Sequence, residues 1–319
     1  MTVISNPLRP AILAAARSPR LERAITHAPG TRQIVERFIA GSTRPEVLDV
    51  VSRLLDGGRA VSIDFLGEDT TDRAAADATV DEYLALIAEL GALTASRRGP
   101  VAAEVSVKLS ALGQALPADG ARIATDNAAR ICAAAAPHGV WVNVDMEDHT
   151  TTDATLETVR ELRADHPWLG AVLQSYLRRT EADCADLARP GSRIRLCKGA
   201  YREPESVAYQ SRDDVDASYR RCLGVLMRGR GYPMVASHDP AMISEAQRLV
   251  RETRRSPADF EHQMLYGIRD LEQARLARAG NTMRVYVPYG SQWYGYFMRR
   301  LAERPSNLRF FLRSVATRS

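Results

Sequence analysis

The chain has 319 residues, 45% of them apolar, which is enough to bury one barrel-sized core or two smaller ones. Charged residues make up 26%, the net charge is +4 and aromatics are 6%, with Arg and Lys dispersed among acids; this excludes a basic stripe or a base-stacking surface, and with them nucleic-acid binding. Cys132, Cys184, Cys197 and Cys222 form no CxxC and no ligand-like spacing with histidine, and no run of about 18 apolar residues occurs. A disulfide frame, a zinc site and a membrane-spanning helix are therefore not expected.

The opening MTVISNPLRPAILAAARSPRLERAI is rich in Arg and Ala, as a transit peptide is, but it lacks an apolar signal core and carries Glu22. It reads as a short amphipathic helix in a cytoplasmic protein, compatible with peripheral attachment at the inner face of a membrane. TRQIVERFIAG and RPEVLDVVSRLLDGG continue a helical arm over residues 1–58. From residue 59 the pattern changes. Short β-branched runs occupy 60–68, 101–110, 140–147, 170–177, 193–201, 233–239, 260–267 and 283–290, separated by stretches rich in Ala, Leu, Glu and Arg. Thr70 or Thr71, Thr151 or Thr152, Thr180, Asp239 and Ser291 stand where helices begin, and Gly280-Asn281 where the seventh ends. Eight βα repeats predict an α/β chain closed as a (βα)8 TIM-type barrel over residues 59–319. A doubly wound open sheet would carry a Gly-rich phosphate loop after the first strand, and GxGxxG is absent there.

Side chains alternate along a strand, and helices cover the barrel outside with apolar contact, so the polar parity points inward. That parity holds Glu104, Ser106 and Lys108; Asn143 and Asp145; Gln174; Arg193 and Arg195; His238; Glu261 and Gln263; Arg284 and Tyr286. Buried charge is costly without a purpose, and structural ion pairs would account for only part of this set. Several of the residues lie at strand C-terminal ends, where barrel active sites are built. The composite predicts a wide polar site for a large ligand plus a small one. Lys108 and Lys198 invite a Schiff-base reading, but arginines and Asp145 beside Lys108 favour a charged ammonium that binds a carboxylate. His238 has no companion histidines or acids at ligand spacing, so no metal is expected. His149 follows DMED in a loop and reads as solvated, while His27, His138, His166 and His262 read as packing or surface residues.

The last helix, in SQWYGYFMRRLAERPSN, puts Tyr296, Arg299, Arg300 and Glu303 on one face. Such a face is either solvated or built to grip a small carboxylate through paired guanidinium bonds.

Together DFLGE, VSVKLSALG, VNVDMED, LQSYLRR, RLCKGAY, ASHD, HQMLYG, RVYVPYG and YFMRRLAE resemble the proline dehydrogenase family, in family order over roughly residues 38–313. The resemblance implies a distorted (βα)8 barrel with noncovalent FAD across its mouth, contacted by Gln174, Arg195, Lys198, Gly199, Ala200, Tyr201, Ser237, His238 and Gln263. It implies that Lys108, Arg299 and Arg300 bind the substrate carboxylate and that Leu265, Tyr286 and Tyr296 wall the pyrrolidine ring. Asp145 would order the basic cluster, with Lys108 and Arg195 catalytic beside it, and Glu68 would pair with an arginine to close the site. The implied reaction is oxidation of L-proline to Δ1-pyrroline-5-carboxylate, with hydride passing from C5 to flavin N5. A membrane quinone is the implied electron acceptor, and a separate pyrroline-5-carboxylate dehydrogenase would take the product. At this length there is no room for a fused aldehyde dehydrogenase, which suggests a stand-alone member. Arg202 stands where many members carry tryptophan, and ASHDP replaces the commoner ATHN; both bear on the cofactor's surroundings. A folate-reducing barrel flavoenzyme, a Schiff-base barrel lyase and a proline-binding scaffold are the rival readings. The first would not need the paired arginines.

Overall fold

The computed structural model describes residues 35–68, 70–96 and 102–303, the side chains of 301–303 excepted. The opening segment, His27, the Glu303 side chain and the tail beyond it lie outside the described residues. Eight parallel strands close on themselves in chain order: β1 (Ala60–Phe65), β2 (Ala103–Val107), β3 (Trp141–Val144), β4 (Gly170–Gln174), β5 (Arg193–Cys197), β6 (Tyr232–Ala236), β7 (Glu261–Leu265) and β8 (Met283–Tyr289). Each is followed by a helix: α2 (Arg73–Thr94), α3 (Gly120–Ala135), α4 (Thr152–Leu162), α5 (Thr180–Leu187), α6 (Arg212–Arg228), α7 (Pro240–Thr253), α8 (Asp270–Arg278) and α9 (Tyr294–Glu303), with α1 (Arg44–Asp56) preceding β1.

The strands are shorter than the runs in the sequence, because ladder pairing stops while each apolar run continues. Residues 66–68, 108–110, 145–147, 175–177, 198–201 and 237–239 therefore belong to loops at the C-terminal mouth. The outward parity, including Val61, Ile63, Val105, Val142, Leu196 and Val285, forms one apolar layer with the helices. The inward parity follows the predicted set, with Glu104 in register with Ser62, Asn143 with Ser106, and Arg284 with Gln263.

Helix α1 explains the distortion. It begins at Thr43, whose backbone N–H donates to the Glu46 carboxylate at 3.0 Å. Val47, Val51 and Leu54 are buried in the barrel's own apolar layer, and α1 packs on β8, β1 and α2. In a regular barrel the helix after β8 covers this flank. Here α9 turns instead to the C-terminal end, where Tyr294, Tyr296, Phe297 and Met298 pack with Val35, Phe38, Ile39 and Leu66. The described end of TRQIVERFIAG is a turn closed by Phe38 and Ile39 N–H groups on the Val35 carbonyl.

Three expected helix caps differ. Asp72, not Thr70 or Thr71, caps α2 by accepting from the Ala74 N–H at 3.2 Å. Thr180 is the first residue of α5, and its hydroxyl donates to the Gln174 carbonyl at 2.6 Å. Ser291 precedes the first residue of α9, Tyr294, by more than a capping position allows. Asp239 does cap α7, and Gly280 takes the left-handed conformation after α8. Among the described residues, no helix is long and apolar enough to cross a membrane.

His262 points outward from β7 into the packed layer, its Nε2 accepting from the Gln247 amide at 2.9 Å and its Nδ1 lacking a partner. Burial, helped by Arg275, pushes its pKa down to about 4 from 6.5. The folded state thus resists a proton that the unfolded chain accepts, and stability is lost as pH falls from 6.5 towards 4. Between pH 7 and 5 the wild type should lose about 2 kcal/mol more than His262→Gln, at roughly 1.4 kcal/mol per pKa unit. Urea unfolding at the two pH values measures the difference, and equal losses would contradict it.

Candidate active site

The barrel interior carries its polar side chains in two layers. Nearer the N-terminal end, Arg193 reaches Glu104 at 2.5 Å, and Arg284 holds Glu261 with paired bonds of 2.7 and 2.9 Å. The Trp141 ring lies 3.6 Å from the Arg193 guanidinium and 5.5 Å from that of Arg284. Burial alone would push the Glu104 carboxyl up; Arg193, Arg284 and Arg195 outweigh it and hold the pKa at about 2. This layer faces no mouth loop. Glu104, Arg193, Glu261 and Arg284 are structural ion pairs, which sequence reasoning allowed for part of the set.

Arg195 joins the layers, donating to Asp145 at 2.6 Å, Glu104 at 2.7 Å, Ser106 at 2.9 Å and Ser62 at 3.0 Å. Above it stands Lys108, 8% exposed, just past the end of β2. Its ammonium donates to Asp64 at 2.7 Å and to the Tyr286 hydroxyl at 3.2 Å, with Asp145 at 3.5 Å and Glu68 at 3.8 Å. The Tyr286 hydroxyl donates a hydrogen bond to Asp145 at 2.8 Å, and its ring lies 5.3 Å from the Arg195 guanidinium. Burial would lower the Lys108 pKa, but Asp64 first, then Tyr286, Asp145 and Glu68, hold it well above the ordinary lysine value. An amine kept charged in this way is a poor Schiff-base nucleophile and a good carboxylate partner.

The double arginine of α9 is not a solvated face. Arg299 donates to Glu68 at 2.6 Å, and Arg300 lies 4.9 Å over the ring of buried Tyr296. The Glu68 carboxyl is held below its usual range, since Lys108 and Arg299 overcome its burial. Leu265, Tyr286 and Tyr296 are all on this side of the mouth, Leu265 at the end of β7 beside Tyr286 in register.

The residues carried over as flavin contacts ring the ends of β4 to β7. Gln174 donates to the Glu147 carbonyl at 2.7 Å, and Gln263 to Glu261 at 2.5 Å. His238 Nε2 accepts the Leu265 N–H at 2.9 Å; that geometry assigns the ring proton to Nδ1. Ser237 accepts from the Asp239 N–H at 3.1 Å. Lys198 is bound to Asp216 and, at 2.8 Å, to Asp239. Gly199 has φ +111°, and a Cβ there would meet the Tyr176 ring at 2.3 Å. Ala200 and Tyr201 complete the half-buried loop.

Sequence reading missed three acids. Asp64, 1% exposed, lies on the inward parity of AVSIDF and was within reach of the alternation rule that found Lys108. Glu147 and Glu203 lie beyond strand ends, where alternation no longer applies. Glu147 accepts from the Ser110 N–H at 3.1 Å and hydroxyl at 2.5 Å, and burial raises its pKa. Buried Glu203 corrects the reading of His149, which is not simply solvated: Nδ1 pairs with that carboxylate, and the His149 N–H donates to it at 3.0 Å. Glu203 also accepts from Tyr176 at 3.2 Å.

The family profile described as Proline dehydrogenase matches residues 47–313. A Deinococcus radiodurans protein named proline dehydrogenase is 38% identical over 98% of this chain and 99% of its own length. Proline dehydrogenase 2 of Bacillus subtilis is 35% identical over 90% of this chain and 91% of its own. Among solved structures, proline utilization A from Bdellovibrio bacteriovorus superposes with a TM-score of 0.80 at 24% identity, covering 93% of this chain and 36% of that one. A Bradyrhizobium japonicum proline utilization A variant gives a TM-score of 0.73 at 23% identity over 93% of this chain and 33% of that one. The chain thus spans about a third of those longer proteins, with which it shares the barrel fold.

The contact between Tyr176 and Gly199 makes a measurable claim. Gly199→Ala should cost at least about 1–3 kcal/mol for the left-handed backbone, plus the displacement of the Tyr176 ring. Adding Tyr176→Ala should return the steric part only. Equal unfolding midpoints for Gly199→Ala and wild type would show that the loop does not take this form.

Proposed function

The chain belongs to the proline dehydrogenase family, and from that premise we propose how its barrel mouth oxidises L-proline to Δ1-pyrroline-5-carboxylate. The enzyme is an oxidoreductase acting on proline. One observation carries the residue assignment: the Glu68 carboxylate lies between the cations of Arg299 and Lys108, at 2.6 and 3.8 Å. Cations so placed bind one carboxylate jointly, and Arg300 on the same turn of α9 adds a third. The substrate carboxylate is held by Lys108, Arg299 and Arg300, while Leu265, Tyr286 and Tyr296 enclose its ring. The Glu68–Arg299 pair straps α9 to the β1 loop and acts as the gate.

The cofactor is noncovalent FAD. The donors at the ends of β4 to β7 suit it: amides at Gln174 and Gln263, the Nδ1 proton of His238, the Ser237 hydroxyl and the Lys198 ammonium. When bound, a flavin supplies the hydride acceptor that no side chain can provide. The protein fixes the ring's position and excludes water, which α9 does by covering the mouth with apolar side chains. The substrate amine must lose a proton before hydride can leave, and the surrounding cations favour its neutral form. The Tyr286 phenol, held by Asp145 and Lys108, stands as a bulky wall beside the ring and favours proline over hydroxyproline. Electrons pass on to a membrane quinone reached by peripheral docking, and the product to a separate dehydrogenase.

Arg299→Met and Arg300→Met should each raise the KM for proline about tenfold or more, matching loss of a charge-assisted bond of about 1.5–3 kcal/mol. Steady-state kinetics with an artificial acceptor measures this, and unchanged KM in both would remove the carboxylate role. Lys108→Met should impair turnover while the visible flavin spectrum stays at full occupancy. Lost flavin would move Lys108 to the cofactor site.

A further inference from the structure

Arginine and lysine together number 43 in this chain, yet only Lys108 and Lys198 are lysines. Both stand at the barrel mouth. Elsewhere the chain uses guanidinium, a broad planar donor; at Lys108 it uses a compact ammonium with three N–H bonds. The geometry accounts for two of the three. One points to Asp64 at 2.7 Å and another to the Tyr286 hydroxyl at 3.2 Å. What remains on the open side is Glu68 at 3.8 Å, the carboxylate that Lys108 shares with Arg299.

We propose that Asp64 is a positioning residue: from beneath, it keeps Lys108 an ammonium and aims its remaining N–H at the place where a carboxylate meets Arg299. The inference rests on the carboxylate role of Lys108 and deepens it. Asp64 is 1% exposed and cannot itself touch a ligand in the mouth, so it acts through Lys108. It lies on β1 in register with Ser106, two residues before Lys108, so the two side chains meet across the β1–β2 ladder. Its second oxygen, Oδ1, has no partner, so Lys108 is the cation that compensates this buried charge. Asp145 is less suited to the task. It lies 3.5 Å from Lys108 and is already bonded to Arg195 and Tyr286. Burial would lower the Lys108 pKa; Asp64 is the largest influence in the other direction.

The pair of lysines makes the test direct. Full-length protein labelled with 13C at lysine Cε gives two side-chain signals, and a Lys198→Arg variant tells them apart. In wild type, the Lys108 signal should stay at its ammonium position to at least pH 10.5. In Asp64→Asn its midpoint should fall by at least one pH unit, while Lys198 does not move. Binding of the oxygen-ring analogue of proline, a tetrahydrofuran carboxylate with no amine to titrate, should then weaken as pH rises through that lowered midpoint, by tenfold or more once the ammonium is lost, in Asp64→Asn only. Asp64→Glu, which keeps the charge, should restore the flat profile. If Asp64→Asn weakens binding equally at every pH with no shift of the Lys108 midpoint, Asp64 is merely structural and the proposal fails. A wild-type Lys108 titrating below its ordinary value of 10.5 overturns it without any variant. Wild-type protein that does not bind the analogue at all sinks the carboxylate site itself, a separate and recognisable failure.

Discussion

The architecture depends on neutralising charge inside a closed sheet. Asp64, Glu104, Asp145 and Glu261 face Lys108, Arg193, Arg195 and Arg284 within the barrel, so formal charge balances where no water can screen it. Removing one partner from such a pair costs far more than the pair contributes, because the remaining charge is left buried. The layers differ in what they can spare. Glu261 and Arg284 are satisfied by each other together with Gln263, Tyr232 and the Val61 carbonyl, whereas Lys108 keeps one donor direction towards the mouth. Function begins where saturation ends.

The same balance explains why the barrel is irregular. Positive charge at the mouth needs a counter-charge and a cover. The transfer of the flank position to α1 frees α9 to supply the cover and to meet the counter-charge, Glu68 on the loop after β1. The apolar face of α9 packs on Leu66, Val35, Phe38 and Ile39, and its Arg299 guanidinium reaches the loop that carries Glu68. The pairing of Glu68 with Arg299 therefore joins the covering helix to the β1 loop and is also a fold contact. Further round the mouth, Glu203 ties together His149, Tyr176 and the loop that follows β5.

Much of this was legible in the sequence because closed barrels obey simple alternation. The inward parity, read from residue types alone, matches the register wherever the assigned polar residue lies within a ladder; Lys108, Asp145 and His238 lie just past their strand ends. Boundaries were harder: apolar runs continue past the last ladder bond, so strands look longer than they are. Caps were misplaced for a related reason, since several threonines and an aspartate compete near one helix start and only the fold decides which reaches a free N–H. Asp64 followed the rule and was overlooked. Glu147 and Glu203, the latter the partner of His149, obey no periodicity, because they join loops far apart in the chain. The choice of Arg299 over Arg300 as the partner of Glu68 rests on a sub-turn difference of direction along α9, which spacing cannot resolve.

The central claim is that this charge-balanced mouth holds proline against a bound flavin for oxidation. Anaerobic rapid mixing of the purified, flavin-loaded protein with L-proline tests it most directly. The account predicts loss of the oxidised flavin's visible absorbance, one flavin per proline consumed, with a rate that saturates in proline. Flavin that stays oxidised while proline binds would contradict it, as would a flavin-free preparation in which borohydride traps a carbonyl compound on Lys108.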